Sequence, residues 1–296
     1  PAASVSISMT SPSLRTLSFA RRCPPSSWPG GAASGDGRRP SRRLLSRGRD
    51  VLGGYSIETT AKLRFSQDFF SSRLPRGTSV YVAAINGTCV EDVFRLCKQL
   101  REQGMCPVPH LAARSLRDLD ELRGWLELAR ENDVEECLLI AGDNPKANGN
   151  LESSMHVLES GLVEGSSIKK INIAGHPEGS LKIRDPLQHL QAKTRWAERH
   201  GIAMDIVTQI CFNADMIFDF CMQVRSLGIN NTIRVGMTGP ISLSKLVKYA
   251  AVCGVGPSIQ LLSSKPDLAF NLSQNDMSPL LHEFLRKIDD VSNLHG

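Results

Sequence analysis

The sequence predicts an α/β fold, namely a (β/α)8 TIM barrel that lacks its last strand. Seven strand-like runs alternate with helix-like runs from about residue 54 to the C-terminus. Such alternation is typical of a parallel sheet covered by helices, and about 245 residues suit a barrel. An open doubly wound sheet is the alternative, although its usual Gly-x-Gly-x-x-Gly motif after the first strand is absent.

The predicted strands are short apolar runs bounded by turn residues. They cover residues 55–59, 79–85, 107–111, 136–141, 170–175, 204–209 and 232–237. An eighth strand would begin at about residue 294, where the sequence stops. We therefore expect the chain to be truncated at its C-terminus, with two unpaired strand edges.

The predicted helices carry apolar residues at helical spacing, as Leu119, Leu122, Leu126 and Ala129 do. They cover a stretch through residues 65–70, then 91–103, 116–131, 151–162, 187–199, a helix through 216–224, then 243–251 and 277–290. Gly201 follows the helix predicted at 187–199 and is expected to cap it, because glycine adopts the left-handed conformation that ends many helices.

The first 50 residues differ from the rest in composition. Nine arginines against Asp36 and Asp50 give this segment a charge of +7, which leaves −2 on the remainder of a chain with net charge +5. An Arg- and Ser-rich, acid-poor segment is typical of a transit peptide. We expect residues 1–50 to be a disordered leader and residues 51–296 to be the barrel. The preferred destination is the mitochondrion; a plastid, or a cytoplasmic protein with a plain basic tail, is the alternative.

Several classes of protein do not fit the composition. The eight cysteines include no Cys-x-x-Cys pair and the seven histidines no i, i+4 pair, so no metal site is expected. No apolar run approaches the ~20 residues of a membrane span. With the charge confined to the leader, nothing indicates nucleic-acid binding. Whether the chain forms a homo-oligomer is left open.

Polar residues that could take part in catalysis or ligand binding stand at the carboxyl ends of five predicted strands. They are Glu58, His110, Asp143, His176 with Glu178, and Gln209. In a barrel these ends meet at one mouth, where active sites lie. Two carboxylates, imidazoles and an amide suit acid–base chemistry on a polar heterocycle. Taken singly, Asp143 is better explained as an Asx-type turn residue after a buried strand; the repetition of such residues at five strand ends favours the functional interpretation.

Five motifs in order and spacing resemble methylenetetrahydrofolate reductase. They are Pro-His-Leu at 109–111, Leu-Leu-Ile-Ala-Gly-Asp at 138–143, Ala-Gly-His-Pro-Glu-Gly at 174–179, Leu-Gln-His-Leu-Gln-Ala-Lys at 187–193 and Ile-Val-Thr-Gln at 206–209. The similarity covers roughly residues 54–296. It implies an FAD-bearing TIM barrel that uses NAD(P)H to reduce 5,10-methylenetetrahydrofolate to 5-methyltetrahydrofolate, in one-carbon and methionine metabolism.

The resemblance also implies residue roles. Glu58 matches the family's general acid, Asp143 the aspartate that binds the pterin beside the flavin, and Gln209 the glutamine that orients the pterin. The residues implied to bind the cofactor are His110, Gly142, Asp143, His176 and Lys193. The substrate-binding arginine that the family carries on its last strand is absent.

Other positions depart from the family pattern. Thr59 and Thr60 follow Glu58 where aromatics and prolines are usual, Ala141 replaces an arginine, and His176 replaces a tyrosine. Three alternatives to the reductase stay open. The first is a flavin-dependent oxidase of methyltetrahydrofolate in a demethylation pathway. The second is a folate- or flavin-binding homologue without turnover, and the third is a barrel enzyme without flavin that uses Glu58 and Asp143 in proton transfer.

Overall fold

A computed structural model describes residues 4–9, 52–83, 85, 87–180, 183–238, 256, 258, 260, 264 and 278–294. Eight strands form one closed sheet. In chain order they are β1 Ser4–Met9, β2 Leu52–Thr60, β3 Ser79–Ala83, β4 Cys106–Ala112, β5 Glu136–Ile140, β6 Lys170–Gly175, β7 Ala203–Thr208 and β8 Ile233–Thr238.

Strands β2 to β8 pair in parallel in the order of the chain and curl into a barrel wall. All seven predicted strands are confirmed, with ends that differ by at most three residues from the prediction. The parallel eighth strand of a complete (β/α)8 barrel is not among the described residues, so that part of the prediction is not confirmed.

The space between β8 and β2 is taken by β1, which runs antiparallel to both neighbours. Ser4 pairs with Thr238 and Val5 with Ile57, so each free edge of the parallel sheet finds backbone partners. We expected residues 1–50 to be disordered; for Ser4–Met9 the structure shows a strand instead. An unpaired edge exposes a row of N–H and C=O groups, and pairing them explains why a polar segment such as Ser-Val-Ser-Ile-Ser-Met is held there.

Six helices cover the described part of the barrel. They are α1 Val90–Glu102, α2 Leu119–Glu131, α3 Ser154–Leu158, α4 Pro186–His200, α5 Ala214–Ser226 and α6 Ser278–Leu294, and a 3₁₀ turn lies at Ala113–Ser115. The predicted helix at 151–162 is confirmed only for the five residues of α3. The helix predicted at 243–251 lies outside the described residues.

The helix predicted through residues 65–70 is wrong, because these residues form turns. The Gln103 side chain explains the difference: its Oε1 accepts hydrogen bonds from the N–H groups of Phe70, at 2.7 Å, and of Ser71. Three phenylalanines, at 65, 69 and 70, pack with ring centroids about 5 Å apart. Their apolar spacing therefore reflects one small aromatic cluster.

Local sequence explains where the helices begin and end. The side chain of Asp118 accepts hydrogen bonds from the first N–H groups of α2, and Asn213 does the same for α5. Gly201 has a φ of 66° after α4, which confirms the predicted glycine cap. Outside the barrel wall, the apolar faces of sheet and helices share one buried core that includes Phe94, Leu122 and Ile173.

Four charged residues and one asparagine fill the inside of the barrel toward the amino ends of β5 to β8. We call this group the N-terminal network; it consists of Glu136, Lys170, Asn172, Asp205 and Arg234. Lys170 Nζ lies 2.6 Å from Asp205 Oδ2 and 3.3 Å from Glu136 Oε1. Arg234 reaches the same Asp205 oxygen through Nε and Nη2, both at 3.1 Å. Asn172 donates to Glu136 Oε1 at 2.8 Å. Two carboxylates thus neutralise two cations within the described part of this end.

Candidate active site

The register of the strands determines which side chains face the inside of the barrel. Glu58 pairs with Tyr81, Tyr81 with Val108, and His110 with Leu138. Side chains alternate between the two faces of a strand, so these residues share the inner face. Tyr81, Val108 and Leu138 form a buried cluster inside the barrel. Glu58 and His110 therefore stand on the wall of the barrel, with this apolar cluster beside them.

Glu58 and His110 are brought close together. The His110 Nε2 atom lies 3.9 Å from Glu58 Oε2, and the two side chains are 9% and 39% exposed. Burial lowers the pKa of His110 to about 4, so the imidazole is neutral near pH 7. Its Nε2 is buried without a hydrogen-bond partner among the described residues.

Tyr81 was missed at the sequence level and completes this group. Its ring meets the His110 ring edge-on, with centroids 6.3 Å apart and an interplanar angle of 73°. Burial raises the pKa of the Tyr81 hydroxyl well above its ordinary value, and the positive charge of Arg234 opposes this shift. The period-two pattern of Ser-Val-Tyr-Val at 79–82 was the available signal, because it puts Tyr81 on one face and two valines on the other.

The Gly142–Asp143 turn follows β5 and is held from the neighbouring strand. Gly142 has a φ of 94°, and a Cβ there would meet the Ala112 side chain at 3.2 Å. Arg114 donates its backbone N–H to Ala141 O at 2.8 Å and its Nη2 to Pro145 O at 2.7 Å. Asp143 is exposed on this turn. The turn thus presents a carboxylate at the carboxyl end of β5, next to the end of β4.

Lys193 and His176 form a second group, at the end of β6 and on α4. Burial lowers the pKa of Lys193 to about 8. Burial, followed by the positive charge of Lys193, also lowers the pKa of His176. Lys193 has no ion-pair or hydrogen-bond partner among the described residues. A desolvated cation of this kind fits an anionic ligand group such as a phosphate.

The loops after β6 and β7 are tied together by Glu178 and Ser258. Glu178 accepts hydrogen bonds from the backbone N–H of Ser258, at 3.2 Å, and from its hydroxyl, and Ser258 Oγ accepts one from Phe212 N at 2.9 Å. Glu178 thus anchors a loop, a role that its place at a strand end did not indicate. Gln209 lies next to this tie, where its N–H donates to Gly175 O at 2.8 Å.

A cavity lies between the carboxyl ends of β3 and β4 and the helices α1 and α2. It has a volume of about 800 Å³, with Trp125 and Leu128 among its apolar lining. Of the predicted site residues, all of which lie in the described part of the chain, only His110 lines it. Thr88 Oγ1 and His110 Nε2 are buried polar atoms of its lining without a described hydrogen-bond partner.

The described contacts therefore join the predicted residues into separate groups: Glu58 with His110, Gly142 with Asp143, and His176 with Lys193, with Gln209 beside the β6–β7 tie. Apart from Lys193, which lies on α4, these residues stand near or just beyond the carboxyl ends of strands, as the sequence predicted. Among the described residues no cluster of three or more His, Cys, Asp or Glu could hold a metal ion, and none of the described helices is long and apolar enough to cross a membrane.

Comparison with protein families agrees with this architecture. The family model for methylenetetrahydrofolate reductase matches residues 62–264, more than half of the chain. The chain belongs to the methylenetetrahydrofolate reductase family. This membership confirms the family that the motifs indicated, and with it an oxidoreductase-type domain of folate and one-carbon metabolism with a TIM-barrel-like fold. The match to the family model begins at Lys62, just after β2, so it does not include Glu58.

Proposed function

We propose that this member of the family is a flavoprotein that reduces 5,10-methylenetetrahydrofolate to 5-methyltetrahydrofolate with NAD(P)H. The observation that carries the proposal is the pairing of Glu58 with a neutral, buried His110 on the inner wall of a barrel of this family. A proton donor is needed to open the five-membered ring of this folate, and Glu58 is well placed to be it.

The residues present fit an FAD cofactor. Lys193 is a desolvated cation without a described counter-ion, which suits the pyrophosphate of a dinucleotide. His176 beside it carries a lowered pKa and is neutral, so it adds no second charge to be compensated. A bound flavin would accept a hydride from NAD(P)H and would transfer it to the folate.

Each polar residue then has a separate task. Glu58 holds a proton on its carboxyl group and donates it to the ring nitrogen that leaves as the folate ring opens. Asp143 accepts hydrogen bonds from the pterin, and Gln209 fixes the orientation of the pterin through its side-chain amide. The apolar cluster of Tyr81, Val108 and Leu138 lies on the same inner face of the barrel as Glu58.

The first test is a visible absorption spectrum of the purified chain, recorded before and after addition of NADH or NADPH and then of methylenetetrahydrofolate. We expect flavin bands that bleach with the nucleotide and return with the folate. Bleaching without recovery would favour a homologue without turnover, and bleaching by methyltetrahydrofolate would favour the oxidase direction. A sample that binds no flavin even after reconstitution with FAD contradicts the proposal.

The second test separates the half-reactions by stopped flow in Glu58→Gln. Reduction of the flavin by NAD(P)H does not involve the folate, so we expect its rate within a few-fold of wild type. The folate half-reaction should fall by roughly 10²–10⁴, the usual effect of removing a positioned general acid. Equal losses in both halves would mean that Glu58 supports the fold or the flavin instead.

We also propose a mitochondrial address encoded in residues 1–50, on the composition of that segment alone. A fluorescent protein fused to residues 1–50 should accumulate in mitochondria. A fusion that stays in the cytosol, or enters plastids in plant cells, contradicts this address.

A further inference from the structure

We propose that His110 is the positioning residue of Glu58: its neutral imidazole donates a hydrogen bond from Nε2 to the Glu58 carboxyl group and holds it in the orientation for proton donation. This inference rests on the proposed function of Glu58. It gives His110 a task distinct from lining a cofactor site.

The geometry gives three reasons. Glu58 and His110 lie on the same inner face, on either side of β3. The Nε2–Oε2 distance of 3.9 Å is longer than a hydrogen bond but closes with a small rotation of the 39% exposed Glu58 side chain. The Nε2 atom is buried and has no partner among the described residues, which is a costly state that a hydrogen bond to Glu58 would relieve.

The charge of the imidazole matters as much as its position. A cation beside Glu58 would favour the carboxylate and remove the proton that the folate needs. Burial keeps His110 uncharged at neutral pH, so the ring can orient the carboxyl group without adding a positive charge that would favour its deprotonation. Arginine or lysine at this place could not do the same.

Tyr81 supports the imidazole from the strand between the two partners. Its ring meets His110 edge-on, and Tyr81 pairs with Glu58 along the backbone. The rotation of the His110 ring is thereby restricted, which directs Nε2 toward β2. A positioning residue needs such support, because a hydrogen bond orients its acceptor only as well as its donor is itself held.

The contact can be tested without any cofactor. Nitrogen-15 NMR of the apo chain reports the His110 tautomer and the Nε2 chemical shift. We expect the Nε2–H tautomer in wild type and a marked change of that shift in Glu58→Gln. The control, Asp120→Asn, alters an exposed carboxylate on α2 that does not line the cavity with His110, and it should leave the His110 signal unchanged. A His110 signal that is identical in wild type and Glu58→Gln contradicts the proposal.

The functional test is a double-mutant cycle on the folate half-reaction, with FAD affinity measured for every variant. His110→Ala should slow this half-reaction by about 10- to 100-fold, the effect seen when partners that orient metal ligands are removed. His110→Gln, which keeps a neutral donor, should restore most of the loss. In a Glu58→Gln background, His110→Ala should have no further effect, because its action passes through Glu58.

The outcomes separate the two proposals. If the wild type turns over and the losses of His110→Ala and Glu58→Gln multiply, the positioning role is wrong while the proposed function stands. The same holds if His110→Ala loses activity only in proportion to weaker FAD binding. If the wild type neither binds flavin nor converts the folate, the proposed function fails, and the NMR contact alone decides whether the two side chains interact.

Discussion

The amino end and the carboxyl end of this barrel differ in how their polar side chains are satisfied. In the N-terminal network, Lys170, Asp205 and Arg234 meet opposite charges at 2.6–3.3 Å. At the mouth, His110 Nε2 is buried without a described partner, and Lys193 carries a pKa lowered by burial. Charges paired within the chain serve the fold, whereas desolvated groups at the mouth reduce stability until a ligand meets them.

The amino end is not perfectly satisfied either. The Oδ1 atom of Asn172 is fully buried and has no described partner, although its Nδ2 donates to Glu136. The contrast between the ends is therefore one of charge: the ionic groups of the network are paired, whereas at the mouth His110 Nε2 has no described hydrogen-bond partner and Lys193 has no described hydrogen-bond or ion-pair partner. Substitutions at the two ends should then change stability in opposite directions.

Asp205→Ala should have the largest effect on stability. It removes the carboxylate that both Lys170 and Arg234 contact and leaves two partly buried cations without that partner. Breaking a buried ion pair from one side costs about 3–5 kcal/mol of unfolding free energy. Urea denaturation measures this loss. The control Glu127→Ala, which breaks an exposed pair with Arg130, should leave the midpoint nearly unchanged; equal losses in the two variants would contradict the paired-network account.

This network also shows what the sequence could and could not predict. Apolar runs predicted all seven parallel strands, because burial on both faces of a barrel wall selects such runs. Lys170 and Asp205 stand within or beside those runs, and only the register, which pairs residues such as Lys170 with Glu136, brings four charged residues of separate strands together. Contacts between strands that are about 30 residues apart in the chain leave no pattern in the local sequence, so they could not be predicted from it.

The positions of the candidate site residues near strand ends could be predicted, unlike the contacts of the network, for a physical reason. The carboxyl ends of parallel strands meet by topology, so Glu58, His110 and Gln209 could be assigned to one mouth without knowing any contact. The contacts themselves were not predictable. Neither the support of His110 by Tyr81 nor the tie between Glu178 and Ser258, 80 residues apart, depends on a motif. The antiparallel β1 was missed because its alternating serines indicate no core.

His110 should make the mouth acid-sensitive. Its folded-state pKa of about 4 lies below the ordinary value of 6.5, so between these values the unfolded chain binds more protons. Protonation of His110 does not change the free energy of unfolding above pH 6.5, and it lowers this free energy by about 3 kcal/mol as the pH falls to 4. Other groups also titrate in this range, so the measurement is a difference: His110→Gln should lose less stability than wild type over that window. Parallel curves for the two proteins would show that His110 is not desolvated.

Lys193→Met should stabilise the chain without ligand. The folded-state pKa of about 8 lies below 10.5, so the cost of the buried charge is fully present below pH 8 and disappears as the pH rises to about 10.5. Methionine keeps the apolar stem and removes the charge. We expect a gain of about 1–2 kcal/mol at pH 7, discounted for the partial exposure of the side chain, together with weaker FAD binding. Lys169→Met, at an exposed ion pair with Glu135, is the control and should show neither effect. Lower stability of Lys193→Met at pH 7 would mean that Lys193 has a partner within the chain.

Asp143→Asn should have the smallest effect on stability and still discriminate between two roles. Asp143 is exposed on the turn after β5, and asparagine forms such turns as well as aspartate does. The unfolding free energy should therefore change by less than about 0.5 kcal/mol under either role. Stability cannot separate a turn residue from a pterin ligand here, so the measurement has to be made on the loaded protein.

The two roles differ in what the lost charge does to ligands. If Asp143 binds the pterin beside the flavin, asparagine should weaken folate binding, because one of its acceptor oxygens becomes a donor. The flavin potential should rise as well, since a nearby negative charge disfavours a reduced, anionic flavin. Folate titration and a redox titration of the same sample measure both. Unchanged affinity together with an unchanged potential would make Asp143 a turn residue, and the carboxylate chemistry of the mouth would then rest on Glu58 alone.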